Sequence, residues 1–346
     1  MIISKTPFRI SFFGGGTDFP QFFNEYGGKV ISTTIDKYCY VNVRRLPQFF
    51  EYTDEIIYSK IEQVKSIDEI NHPMVRNCLK LTELKNIKVY YDADLPARTG
   101  LGTSSSFAVG LLNCLLKLKN DEIFRDIYNV DNMYKYKAKI ADMAIHVERE
   151  MCNESGGIQD QIAASFGNLN FINMGKEYDN GYFVKNIKLA PNEKNKFNEN
   201  LMMFFTGISR NSFEIQSKTE SNLKDNINRL LEMNKLVDEA YLYLINNNFD
   251  EFGRLLDWTW QLKRSLNKNI SNSQVDELYA IAKECGAYGG KLLGAGGGGF
   301  FVFYVPGEKQ ECVMKAMEGL LYVPFDFEDG GTQIVHYAPE TYTSRD

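Results

Sequence analysis

Along the first third of the chain, apolar residues come in short alternating runs. Residues 8–13, 29–35 and 38–44 are β-branched or aromatic stretches bounded by Gly and Pro, a strand signature. Residues 87–93 (IKVYYDA) alternate likewise. They lead through LPARTGLGTSSS into an apolar stretch, residues 107–118, that reads as a helix. Residues 133–151 then carry Tyr136, Ile140, Met143, Ala144 and Val147 at helical spacing. A short strand is expected at 169–173. The polar segment 180–200, with Pro191 and many Lys, Asn and Glu residues, marks a boundary, so residues 1–190 and 191–346 read as two domains. Beyond it, LMMFF (201–205) is a buried-strand pattern. Residues 217–247 predict one long amphipathic helix with Leu230, Met233, Val237, Tyr241 and Leu244 on one face. Helices follow at 252–267, 274–285 and 311–321, with strands at 300–305 and 332–337. The second half therefore has an α+β plan.

Three glycine-rich loops interrupt this pattern. The strand–loop–helix at 87–118 places Gly100 and Gly102 where backbone can approach a ligand. The helix start supplies unpaired N–H groups and a positive dipole end, both suited to phosphate. Thr103, Ser104, Ser105 and Ser106 add hydroxyls that cap the helix, bind phosphate or reach a metal. Alone, the loop fits an ordinary capped helix as well. It is not a P-loop, because no Lys follows the glycines, and Ser105 stands where a dinucleotide fingerprint needs its third Gly. A spelled GxGxxG does occur at 294–299, but a strand-like run follows it where that motif requires a helix. The remaining loop, FGGGTDFP at 13–20, has three glycines suited to backbone passing close to a ligand, with Thr17 and Asp18 offering contacts to sugar hydroxyls, or is a hairpin turn. An acidic segment, EREMCNESGGIQDQ (148–161), contains Glu148 and Asp160. A loop hydroxyl with a carboxylate makes a Mg²⁺ ligand pair, since Mg²⁺ takes few protein ligands. Phosphoryl transfer also needs a group to orient the attacking hydroxyl.

Composition narrows the partners. With 346 residues, 44% hydrophobic and 24% charged, the chain is globular. A net charge of −6 argues against a nucleic-acid surface. No apolar run approaches a membrane span, and the N-terminus does not read as a signal peptide. Six cysteines without CxxC spacing read as reduced thiols, which points to the cytoplasm. Three histidines without paired spacing disfavour zinc.

PFRISFFGGGTDFP, LPARTGLGTSSSFAVG and KLLGAGGGGFFVF, in this order, resemble the three motifs of the GHMP family of small-molecule kinases. The resemblance spans nearly the whole chain. It implies an α+β, two-domain fold: an N-terminal domain similar to ribosomal protein S5 domain 2, a ferredoxin-like C-terminal domain, and a cleft between them. It further implies ATP phosphates on Gly100, Leu101, Gly102, Thr103, Ser104, Ser105 and Ser106. Glu148 with Ser104 or Ser105 would hold Mg²⁺. Asp160 would face the attacking hydroxyl with Arg9 as its partner, and Gly15, Gly16, Thr17, Asp18, Gly296 and Gly297 would border the acceptor. Galactokinases carry Glu and His where Gly15 and Gly16 stand, so a polar sugar contact is lost and space is gained. The FGGGTDFP and TGISRNS spellings resemble the branch acting on D-glycero-D-manno-heptose 7-phosphate at its anomeric hydroxyl. That acceptor's own phosphate calls for a basic residue. Arg210 is the first candidate, followed by Arg98, Lys29 and Arg45. An L-fucose-type kinase on an unphosphorylated sugar and a sugar-sensing regulator without turnover are the alternatives. The implied partners are ATP and a sugar phosphate, with a homodimer left open.

Overall fold

A computed structural model describes residues 1–47, 49–97, 99–120, 130–208 and 212–338. The first sheet contains β1 (Ile2–Phe13), β2 (Gly28–Arg45), β3 (Asp54–Ile57), β4 (Ile61–Val64), β5 (Ile87–Ala93), β6 (Leu169–Met174) and β7 (Tyr182–Asn186). The second contains β8 (Leu201–Phe205), β9 (Gly289–Leu292), β10 (Phe300–Tyr304) and β11 (Leu321–Tyr322), antiparallel in the order β11-β8-β10-β9. Two last strands, β12 (Phe327–Glu328) and β13 (Gln333–Tyr337), return to the first sheet beside β2 and β1. The division at residue 190 therefore needs correction at its far end, because residues 327–337 complete the N-terminal sheet.

β2 is the spine. It pairs with β1 along its length, with β6 over its first half and with β5 over its second. The two strands expected at 29–35 and 38–44 are one. The pairing passes from Pro7↔Tyr38 to Phe8↔Ile35, so Asp36 and Lys37 bulge out opposite Pro7. Proline has no N–H for the ladder, and a bulge is where a sheet tolerates that.

The helices are α1 (Pro20–Tyr26), α2 (Pro73–Thr82), α3 (Thr103–Leu118), α4 (Val130–His146), α5 (Gln159–Phe166), α6 (Pro191–Glu199), α7 (Ser212–Ser221), α8 (Ile227–Ile245), α9 (Phe249–Ser265), α10 (Ser273–Glu284) and α11 (Gln310–Ala316). α3 packs on β1 and β2 and is buried nearly all round from Thr103 to Leu116, which accounts for its continuous apolar spelling. The long helix expected at 217–247 is two helices, α7 and α8, separated by a 3₁₀ turn at Lys224–Asn226. Asn226 there spends its side-chain amide on the carbonyls of Asn222 and Leu266. The helix expected to run to Met151 ends at His146 and continues as a π-helix, Val147–Met151.

The second sheet buries both faces. Met202, Phe204, Phe301 and Phe303 pack toward Trp260 and Tyr279, while Met203, Val302 and Tyr304 join the core of the first sheet. Phe252 of α9 meets Phe12 and Phe13 edge-on at 5.4 and 4.9 Å. These aromatic contacts fix the two sheets about the cleft between them.

Candidate active site

The cleft has a volume of about 980 Å³ and is bordered by all three glycine loops and the acidic segment. Gly100 and Gly102 adopt φ of 87° and 72°, and Gly102 caps α3 in the left-handed conformation. A Cβ on Gly100 would lie 2.4 Å from the Leu293 carbonyl, so the second loop needs glycine to rest on the third. Gly100, Gly102, Thr103, Ser104 and Ser105 face the cleft.

Asp160 stands in the first turn of α5, across the loop from the α3 start. Arg9 of β1 grips it in a fork: Nε donates to Oδ1 at 2.8 Å and Nη2 to Oδ2 at 2.6 Å. Arg9 Nη1 donates to the Gly100 carbonyl at 2.6 Å, tying the pair to the loop. Such bidentate geometry fixes a carboxylate's orientation. Asp18 sits nearby, its Oδ1 accepting from the Gly16 amide at 2.8 Å. Burial pushes the Asp18 carboxyl above its usual range, and the charge of Asp160 adds to this.

Glu148 is different. The π turn, closed by a 2.8 Å bond from the Cys152 amide to the Val147 carbonyl, swings it inward. Its Oε2 accepts from Ser105 Oγ at 2.8 Å and from the Gln161 amide. Its Oε1 is buried without a partner, as is Gln161 Oε1. Burial, with Glu154 nearby, pushes the Glu148 carboxyl up to about 8. A buried carboxylate oxygen left bare beside a hydroxyl and an amide oxygen fits a hard cation with oxygen ligands. Ser105, rather than the exposed Ser104, is the serine that meets Glu148.

Several predicted residues serve the scaffold. Leu101 is fully buried, its carbonyl accepting from the Arg9 amide. Ser106 donates to the Pro7 carbonyl at 3.0 Å, pointing away from the cleft. Thr17 spends its hydroxyl on the carbonyls of Gly14 and Lys29, both at 2.9 Å, so Gly15, Gly16 and Asp18 border the cleft without it. In the third loop the cleft is lined by Gly294 and Ala295. Gly296 and Gly297 turn instead onto Ile270: a Cβ on Gly296 would lie 2.7 Å from its carbonyl, and the Gly297 amide donates to that carbonyl at 2.8 Å. Lys29 pairs with Asp238 outside the cleft, and Arg45 ends β2 away from it. Arg98 and Arg210 lie outside the described residues.

The sequence reading missed the rest of the lining. Tyr58, His72, Tyr91 and Phe107 form an aromatic wall past Ser105, with His72 edge-on to Tyr58 at 4.9 Å and Tyr91 edge-on to Phe107 at 4.9 Å. Lys263 and Lys291 also line the cleft, both buried. The only signal for Lys291 was a charge inside the apolar run GGKLLG.

A two-layer first sheet joined to a second α+β unit, with a glycine loop and a carboxylate on either side of it, is the architecture of a small-molecule kinase. The chain belongs to the GHMP kinase family: residues 72–168 match the GHMP kinases N terminal domain and residues 240–317 the GHMP kinases C terminal domain. It is 26% identical to D-glycero-alpha-D-manno-heptose 7-phosphate kinase of Campylobacter jejuni, over 91% of this chain and 93% of that protein. It is also 26% identical to the bifunctional fucokinase/GDP-fucose pyrophosphorylase of Arabidopsis thaliana, over 86% of this chain and 29% of that longer protein. In structure it is similar to a D-glycero-D-manno-heptose 1-phosphate kinase from Bacteroides thetaiotaomicron, with a TM-score of 0.76 at 21% identity, covering 98% of this chain and 100% of that one. Among the described residues no helix is long and apolar enough to cross a membrane.

Proposed function

We propose that this protein is an ATP- and Mg²⁺-dependent kinase that phosphorylates the anomeric C1 hydroxyl of D-glycero-D-manno-heptose 7-phosphate to the 1,7-bisphosphate. The observation that carries the kinase reading is the pairing of two carboxylates with one loop. Glu148 bonds to Ser105 in the first turn of α3, and the Arg9–Asp160 pair packs against Gly102, which caps that helix.

ATP phosphates rest on Gly100, Gly102, Thr103, Ser104 and Ser105, where backbone N–H groups and the helix dipole favour negative charge. Ser105 and Glu148 would hold Mg²⁺, which would supply positive charge against that of the phosphate oxygens. Asp160, immobilised by Arg9, keeps lone pairs facing the cleft and orients the acceptor hydroxyl. Asp18 and the bare backbone of Gly15 and Gly16 receive the sugar. Glycines at these two positions leave room for a larger acceptor than galactose. α7, which begins at Ser212, lines the cleft with Gln216 and Thr219. Arg210 holds the distal phosphate.

The heptose rests on the Campylobacter relative and on those glycines. The fucokinase likeness, at equal identity, favours a neutral sugar as the second reading. ADP release with Mg-ATP is the test, against heptose 7-phosphate, mannose 6-phosphate, sedoheptulose 7-phosphate, L-fucose, galactose and mevalonate. Turnover selective for the heptose phosphate is expected. Turnover of L-fucose alone would give the second reading. Binding of ATP and sugar with no ADP released would indicate a sugar-sensing regulator. Arg210→Ala should raise KM for the sugar phosphate far more than for ATP, and an equal effect on both would remove Arg210.

A further inference from the structure

Three cations border the point where the phosphate loop meets Asp160, and the mechanism above uses only Arg9. The other two arrive from the second sheet and its helix. Lys263 of α9 donates through Nζ to the Gly294 carbonyl at 2.5 Å and to the Leu292 carbonyl at 3.3 Å. Lys291 of β9 donates to the Phe12 carbonyl at 3.0 Å. They are 7% and 1% exposed, and among the described residues neither forms an ion pair. Burial of an ammonium with no carboxylate at ion-pair distance is unfavourable, and an apolar side chain of similar volume would serve a core better. Burial and the Arg9 charge push Lys263 down to about 8, against the opposing pull of Asp18 and Asp160. Burial, with Lys263 and Arg9 beside it, also pushes the Lys291 ammonium well below its ordinary range. The pair is arranged for negative charge that a ligand brings.

Position says which charge. A Cβ on Gly294 would lie 2.4 Å from Gly100 Cα, so Lys263 is one carbonyl removed from the phosphate loop. The Gly100 carbonyl is in turn the acceptor of Arg9, which holds Asp160. Lys291 sits against Phe12, just before the loop that carries Asp18. The segment LPARTGLGTSSS contains no lysine, unlike a P-loop, whose Lys reaches the transferred phosphate.

We propose that Lys263, with Lys291 behind it, contacts the phosphoryl group in transit between ATP and the acceptor. The second domain thereby supplies the lysine that the phosphate loop lacks. This rests on the kinase reading above. In the step, the γ-phosphorus forms a bond to the acceptor oxygen as its bond to the β,γ-bridging oxygen breaks. That electron pair stays on ADP, the acceptor's proton passes to Asp160, and Lys263 faces the charge on the transferring oxygens.

The test compares the binding of MgADP with that of MgADP plus tetrafluoroaluminate, a planar anion standing in for the phosphoryl group and needing no sugar. Lys263→Met should leave MgADP affinity unchanged and weaken the tetrafluoroaluminate complex on the order of 100-fold. Lys263→Arg, which keeps the charge, should recover most of that loss. If the Met variant does not fold, Lys263→Gln, which still donates to Gly294, carries the same expectation. An equal loss for both ligands, or no loss for the tetrafluoroaluminate complex, overturns the inference. A wild-type protein that binds no MgADP removes it together with the kinase reading. A wild type that traps the complex through Lys263 but turns over no heptose phosphate supports it and removes only the substrate.

Discussion

Asp160 and Glu148 flank the same helix start and could hardly be treated more differently. Asp160 is 23% exposed at the cleft and both its oxygens are gripped by Arg9. Glu148 is buried, accepts through one oxygen only, and keeps the other bare. The first arrangement is complete as it stands and fixes an orientation. The second leaves a buried oxygen without a partner, and the proposed cation site rests on that oxygen. Two carboxylates of similar chemistry thus take different tasks from their surroundings, and the difference can be tested by removing each.

The largest effect is expected at Asp160. Asp160→Asn replaces one acceptor oxygen with a donor and breaks the fork with Arg9. kcat should fall about 10²–10⁴-fold, with nucleotide affinity retained by fluorescence titration. Near-normal turnover would remove Asp160 from the chemistry. Next comes Glu148→Gln, which should require on the order of 100-fold more Mg²⁺ for half-maximal activity. An unchanged metal titration would break the comparison.

The same substitution sharpens it through pH. The folded-state value of Glu148, about 8, lies above its ordinary 4.5. Its contribution to stability is therefore full below the ordinary value and is lost as pH rises to about 8. In metal-free protein, Glu148→Gln should melt progressively higher relative to wild type between pH 5 and pH 8. Added Mg²⁺ should stabilise wild type more at pH 8 than at pH 6, since binding expels the proton. A melting difference independent of pH would contradict the bare-carboxylate account.

Smaller effects separate site from scaffold. A Cβ on Gly157 would lie 1.7 Å from Asp18 Oδ2, so Gly157→Ala should displace that carboxyl. It should cost about 1–3 kcal/mol of stability in denaturant melts and raise KM for the sugar. Thr17→Val should cost about 1 kcal/mol and leave KM unchanged, because the Thr17 hydroxyl binds only backbone. A raised KM there would return Thr17 to the acceptor site.

What was legible in the sequence follows from distance along the chain. Glycine loops and their hydroxyls are local, so Gly100, Gly102, the serine run 104–106 and Asp18 stood out by spelling. The choice between Ser104 and Ser105 was not local, since it depends on which hydroxyl the π turn at Val147–Met151 places against Glu148. That turn left no mark in an apolar spacing that reads as continuous helix. Asp36 and Lys37 looked like a break between strands because a bulge and a turn share residue types. Gly296 and Gly297 shared the spelling of a ligand platform, while their role is close packing on Ile270. Lys263 was invisible for another reason: on an amphipathic helix a lysine reads as solvated, and only the approach of β9 and the third loop buries it. The return of residues 327–337 to the first sheet is likewise a matter of pairing that no local pattern encodes.

The most direct test of the proposed activity is ³¹P NMR of D-glycero-D-manno-heptose 7-phosphate incubated with Mg-ATP and the protein. A new ester signal whose phosphorus couples to the anomeric proton, growing in step with ADP while the 7-phosphate signal persists, is the predicted result. ADP and inorganic phosphate appearing without that ester, or a new ester on another carbon, would contradict it.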